Sequence, residues 1–202
     1  MRAMDTTNNT RQRLIDSAQQ LFHARSYHAV GVNEICELAG VNKGSFYHFF
    51  ASKRDLTLAV LDATAQFYEK DVFSRAFEAD ISPLARIERF FNAVHEYHQQ
   101  IKDKTGNVQG CPFSNLASEM STQDESLREK AESIFRLAEQ SIEQALDDAV
   151  ACHELPDIDT TEAAQAIFAY TQGLTLCAKT RNDTDIIRNL GKRAIQLAKA
   201  AS

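Results

Sequence analysis

The chain has 202 residues, of which 44% are hydrophobic, so it can bury a sizeable core, and its formal net charge is −6. No run approaches the roughly 18 apolar residues needed to cross a bilayer, and Met1 to Thr10 is polar with no secretory core, so the expected place is the cytoplasm with no membrane partner. Four cysteines at 36, 111, 152 and 177 lack the paired spacings of zinc sites, redox dithiols or a disulfide framework, which leaves reduced thiols.

After a polar tail, Leu14, Ile15, Ala18, Leu21 and Phe22 recur at helical spacing, with Arg11 and Arg13 placed in the first turn. Basic side chains there oppose the helix dipole, a placement that favours phosphate contact, with a merely solvated role standing equally beside it. Val32, Ile35, Leu38 and Ala39 then mark one face of a short helix that Gly40 ends in the left-handed conformation. Val41 supplies an apolar plug, and Asn42 is a good N-cap for a second short helix. In that second helix Phe46, Phe49 and Phe50 face inward. Lys43, Ser45, Tyr47 and His48 are left on the outward side, a polar face that a DNA major groove accepts.

Residues 31–50 therefore read as a helix-turn-helix. Gly40-Val41, Lys43-Gly44, Phe46 to Phe50 and Ser52-Lys53, followed by Leu56, resemble the DNA-binding domain of the TetR family of transcriptional regulators. The resemblance covers residues 8 to 68 and continues beyond them only in helical layout. Asn42 stands where Ser or Thr is common, Phe46 where Leu is, Ala51 where Pro is and Arg54 where Glu is, and each exchange is physically tolerable. Asn42, Lys43 and Ser45 are expected to reach base edges. Tyr47, His48, Lys53, Arg11 and Arg13 complete the expected DNA face. Charge is distributed to suit: up to Leu56 seven basic residues oppose five acidic ones, whereas the remainder carries fifteen against twenty-three.

Ser52 and Asp55 have capping-box spacing and open a long helix through Leu56, Val60, Leu61, Phe67, Tyr68, Val72 and Phe73. Ser82-Pro83 opens another, with Leu84, Ile87, Phe90, Phe91, Val94 and Tyr97, to about Lys102. A polar loop from Lys104 to Gln109 precedes a short helix from Gly110 to Met120. Ser121 to Asp124 caps a long helix through Ala149, and Pro156 breaks the chain before helices at about 161–179 and 184–200. The sum is an all-α fold of nine helices, with a DNA-binding head at 8–56 and a helical body at 57–202.

The TetR resemblance implies a homodimer on a palindromic operator, most simply a repressor released by a small-molecule effector. Ile167, Tyr170, Leu174, Ile187, Leu190, Ile195 and Leu197 are expected at or just behind the dimer interface. Phe67, Phe90, Phe91, Tyr97, Cys111, Phe113, Phe135 and Phe168 are expected to line the effector pocket. Gly110-Cys111-Pro112 also resembles a motif in a subgroup of these regulators that sense electrophiles. Pro112 at the first helical position places Cys111 at the cap, where the helix dipole favours a thiolate, while a buried structural thiol is the plainer reading. His95 and His98 lie three apart and could hold a metal, but a solvated or pocket-lining face is the commoner use, and no metal or cofactor is expected. No local pattern orients a nucleophile and base, so an enzyme is not expected. A helical interaction protein without DNA binding would have no need of the outward Lys43, Tyr47 and His48.

Overall fold

A computed structural model describes residues 2–200 of the chain, and the side chains of 9–199. The helices are α1 Arg2–Ala24, α2 Val32–Ala39, α3 Lys43–Phe49, α4 Lys53–Tyr68, α5 Pro83–Thr105, α6 Pro112–Met120, α7 Glu125–Ala151, α8 Thr160–Arg181, α9 Asp185–Gly191 and α10 Ala194–Ala200. There is no strand among the described residues. With α9 and α10 taken as one interrupted helix, the nine expected helices are present there.

Four local expectations are corrected. The polar tail is already helical from Arg2, so Arg11 and Arg13 lie mid-helix and not in a first turn; the side chains of Arg2 and Asp5 lie outside those described. Leu38 is 48% exposed while Cys36 is buried. The inward face of α2 is centred between Ile35 and Cys36, and at 3.6 residues per turn Leu38 stands roughly 110° from that centre. The long fourth helix is not regular: after Tyr68 it passes through a π-helical turn, Glu69–Phe73, before a last α-turn, Ser74–Ala76. The final helix breaks after Gly191.

The helix ends follow from their caps. Gly40 closes α2 at φ +63° and ψ 40°, and its N–H donates to the carbonyls of Cys36 and Glu37. Asn42 Oδ1 accepts from the Ser45 N–H at 2.8 Å to open α3. Ser52 Oγ accepts the Asp55 N–H at 3.1 Å at the start of α4. Gly106, at φ +80°, ends α5 three residues later than expected. Asp124 Oδ1 accepts from the Leu127 N–H to cap α7, and Asp159 does the same for α8 through the Glu162 N–H.

The chain divides into two compact units, and the division differs from the one expected. The first holds residues up to Gln66 together with Pro112–Ala131; the second holds Phe67–Cys111 with Glu132 onward. The core of the first is Leu14, Ile15, Ala18, Val30, Ile35, Cys36, Ala39, Phe46, Phe50, Leu56 and Val60. Thr57 and Thr64, buried on α4, return their hydroxyls to the Lys53 and Val60 carbonyls. The second unit has its own core, in which Phe90 stacks with Phe73 at 5.4 Å and Phe77 at 5.5 Å, over Ile142, Leu146, Ile167 and Ile187.

Candidate nucleic-acid interface

The second helix of the motif, α3, is seven residues long, too short to be stable alone, and it is held by its inner face. Phe46 is fully buried and Phe50 nearly so, while Phe49 is only partly covered. Opposite them Lys43, Tyr47 and His48 are exposed and Ser45 half-buried, as the helical period requires. The Tyr47 ring stands edge-on to Phe46 at 5.1 Å, and His48 edge-on to Phe49 at 4.9 Å, which limits the directions both side chains can take. Asn42 spends its carboxamide oxygen on capping. Contact with a base from Asn42 would therefore come through its amino group.

The two arginines expected on the DNA face, Arg11 and Arg13, differ. Arg11 stacks its guanidinium over the Phe50 ring at 5.3 Å, next to the end of α3. Arg13 reaches the Thr10 hydroxyl at 3.5 Å, a weak tie for an exposed side chain.

Lys53 has a task the sequence did not suggest. Its ammonium donates to the carbonyls of Tyr27 at 2.6 Å and Val30 at 2.7 Å and lies 4.0 Å from the centre of the Tyr27 ring. Burial lowers its pKa, against the opposing pull of Glu119 and Glu34. An ammonium so engaged braces the turn between α1 and α2 and points at it, not at a phosphate. Lys53→Ala should lower stability by about 1–2 kcal/mol through the two abandoned carbonyls and alter the salt slope of DNA binding by less than one contact. Thermal unfolding checks the first effect and a salt titration the second; an unchanged melting temperature with a slope lower by a full unit would restore Lys53 to the phosphate-binding set.

In the second unit the expected pocket residues fall into separate groups. Phe67, which is exposed, and Tyr97 lie 5.9 Å apart, and Tyr97 meets Tyr68 at 4.8 Å and the buried His98 at 5.2 Å. Tyr68 is partly buried with its hydroxyl oxygen covered, and desolvation, with Tyr97 and Cys111 beside it, holds its phenol well above the ordinary range. Burial likewise pushes Tyr97 up to about 12. Both phenols are neutral donors at physiological pH. Cys111 is half-buried by this pair. Phe90 and Phe91 instead pack in the centre of the core, Phe135 and Phe168 form a pair at 5.2 Å, and Phe113 is buried in the first unit. Tyr68 and His98 were absent from the expected pocket set, although His98 belongs to the face read from sequence as solvated or pocket-lining and Tyr68 follows Phe67 directly.

The residues expected at a dimer face also separate. Ile167, Leu174 and Ile187 are buried within the chain's own core, so they could only stand behind a dimer face and not on it, and the Tyr170 hydroxyl donates to the Leu190 carbonyl at 3.0 Å. Leu190 and Leu197 are exposed and Ile195 half-buried. Leu137 and Leu176, not anticipated, are exposed at 58% and 60%. Among the described residues no group of three metal-ligating side chains occurs, and no helix is long and apolar enough to cross a membrane. His95 lies 3.4 Å from Asp185.

Residues 14–60 match the model of bacterial regulatory proteins of the tetR family, and residues 83–193 match the tetracyclin repressor-like C-terminal domain. The transcriptional regulator AcuR of Cereibacter sphaeroides is 30% identical over 169 residues, covering 83% of this chain and 75% of that protein. A crystal structure of a regulatory protein TetR from Rhodobacter sphaeroides superposes with a TM-score of 0.82 at 29% identity, over 92% of this chain and 97% of the other. The reduced form of Escherichia coli NemR superposes with a TM-score of 0.77 at 26% identity, over 94% and 97%. A reading helix with a polar outer face, a separate helical unit and these matches agree: the chain belongs to the TetR family of DNA-binding transcriptional regulators, which are not enzymes.

Proposed function

We propose that the protein represses transcription as a homodimer bound to a palindromic operator and is released when a small molecule occupies the second unit. The observation that carries this reading is the outer face of α3, where Lys43, Tyr47 and His48 stand exposed while Phe46 anchors the helix. One copy reads one half-site, and a two-fold pair places two such helices about 34 Å apart on one face of the duplex. Ala166, Ala169, Gly173 and Leu176 form an exposed stripe on α8 at helical spacing, with open space above Gly173. Together with Leu190 and Leu197 they are the face assigned to the partner copy. The effector site is assigned to Phe67, Tyr68, Tyr97 and His98, where the Tyr68 hydroxyl is engaged with Tyr97 and the neutral Tyr97 phenol can donate to a ligand oxygen.

A second reading makes Cys111 the sensing group. It is favoured by the half-buried thiol beside Tyr68 and Tyr97 and by the reduced form in which the NemR relative was solved.

Selection of duplexes from a random pool should enrich an inverted repeat, with affinity falling on a log-log salt slope of about −0.9 per phosphate neutralised. Sedimentation should give a dimer at micromolar concentration. A non-symmetric enriched sequence or a monomer defeats the dimeric reading. With N-ethylmaleimide as probe, release of the enriched duplex by wild type and not by Cys111→Ser selects the thiol reading, and equal release rejects it.

A further inference from the structure

The turn between α1 and α2 is short, exposed and irregular, yet it sets where the helix-turn-helix begins. Two charged side chains remote in sequence hold it. Lys53, from α4, takes the carbonyls of Tyr27 and Val30. Glu119, from the last turn of α6, takes the donors: its carboxylate accepts the Tyr27 N–H at 2.9 Å, the His28 N–H at 2.7 Å and His28 Nδ1 at 2.6 Å. These charge-assisted bonds are among the stronger kinds, and the carboxylate is mostly covered. Although burial pushes the Glu119 carboxyl up, the bonds from His28 and Tyr27 outweigh it and hold the group below its usual range.

From that turn the polar connections continue toward the reading helix. Arg25 donates to the Ala29 carbonyl and to Glu34, and Glu34 in turn accepts the Gly31 N–H at 3.0 Å, fixing the first turn of α2. Gly40 and Asn42 then join α2 to α3 with no slack. All of these residues belong to the first compact unit, which includes α6 although α6 follows the whole of α5 in sequence.

The geometry points to Glu119 as a positioning residue for DNA reading, by which α6 sets the α1–α2 turn and thereby the placement of α3. Glu119 touches no DNA in this scheme; it acts through Tyr27 and His28. The inference rests on α3 being the reading helix, and its test has one arm that does not.

That arm is amide hydrogen exchange in the DNA-free protein, resolved at Tyr27 and His28. Glu119→Ala should speed exchange at both by about tenfold, the factor for one lost hydrogen bond of this kind, and Glu119→Gln, whose amide oxygen still accepts, should give a smaller increase. The second arm compares a duplex enriched by the wild-type protein with a scrambled duplex of equal length. Glu119→Ala should lose about tenfold on the enriched duplex and less than twofold on the scrambled one, with the salt slope unchanged because no phosphate contact is removed. His28→Ala, which keeps both backbone donors, should stay within about twofold of wild type on each. Unchanged exchange overturns the clamp, as does faster exchange with full operator affinity. Equal losses on both duplexes overturn it too, since general destabilisation would produce them. If Glu119→Ala does not fold, Glu119→Gln decides by the same criteria. A wild-type protein that binds neither duplex defeats the reading of α3 instead, and the exchange arm still decides whether Glu119 holds the turn.

Discussion

Phe91→Ala is expected to remove about 3–5 kcal/mol of stability, a large part of what a domain of this kind possesses. Phe91 is buried at the centre of the second unit, edge-on to Phe90 at 5.4 Å and to Tyr170 at 6.4 Å. It also lies close against the backbone of Gly191. A Cβ built on Gly191 would stand 2.6 Å from the Phe91 ring and 2.7 Å from its Cβ. The first carbon of a side chain cannot swing away, so Gly191→Ala must push helices apart, at a cost of about 1–3 kcal/mol. The two effects are opposite in sign of volume. In the double variant the added methyl group enters the cavity left by the ring, and the combined loss should fall short of the sum by about 1 kcal/mol or more. Urea unfolding of the four proteins at one fixed concentration measures the cycle. Additivity within about 0.5 kcal/mol would mean that the two positions do not share space.

That contact also explains what the sequence could and could not tell. Boundaries set by neighbours in the chain were legible: Gly40, Asn42, Ser52, Pro83 and Asp124 act on helix ends within four residues of themselves, and each was read correctly. The break after Gly191 was not legible, because a small residue there answers to Phe91, a hundred positions earlier. Lys53 and Glu119 follow the same rule. Their partners are 26 and 92 residues away along the chain, and no periodicity carries such a pairing. Of the candidate site, the outer face of α3 followed from helical period alone. The aromatic residues expected in a pocket did not sort themselves, since Phe90 in the core and Phe67 on the surface look alike in sequence. The residues named for a dimer face divide the same way, some into the core and some onto the surface. On α8 the large apolar Ile167 and Leu174 serve the chain's own core, and the small Ala166, Ala169 and Gly173 are the ones left outside.

Adjacent residues of α3 should separate folding from reading. Phe46→Ala empties the one fully buried position of a seven-residue helix, so the loss should be about 3–5 kcal/mol, and DNA affinity should disappear with it although no atom facing DNA has changed. Tyr47 is 57% exposed and touches the core only through the edge of its ring against Phe46. Tyr47→Ala should therefore cost no more than about 1 kcal/mol while reducing affinity for an enriched duplex by about tenfold, the scale of one lost directional contact. Tyr47→Phe keeps the ring and removes only the hydroxyl, so it assigns the loss to a hydrogen bond or to packing against the duplex. Urea unfolding midpoints and duplex titrations, taken on the same preparations, give both quantities. If Tyr47→Ala unfolds as readily as Phe46→Ala, the outer face is structural. If Phe46→Ala keeps its affinity, α3 is not the helix that reads, because a helix too short to stand alone cannot hold its place in a groove once its anchor is gone.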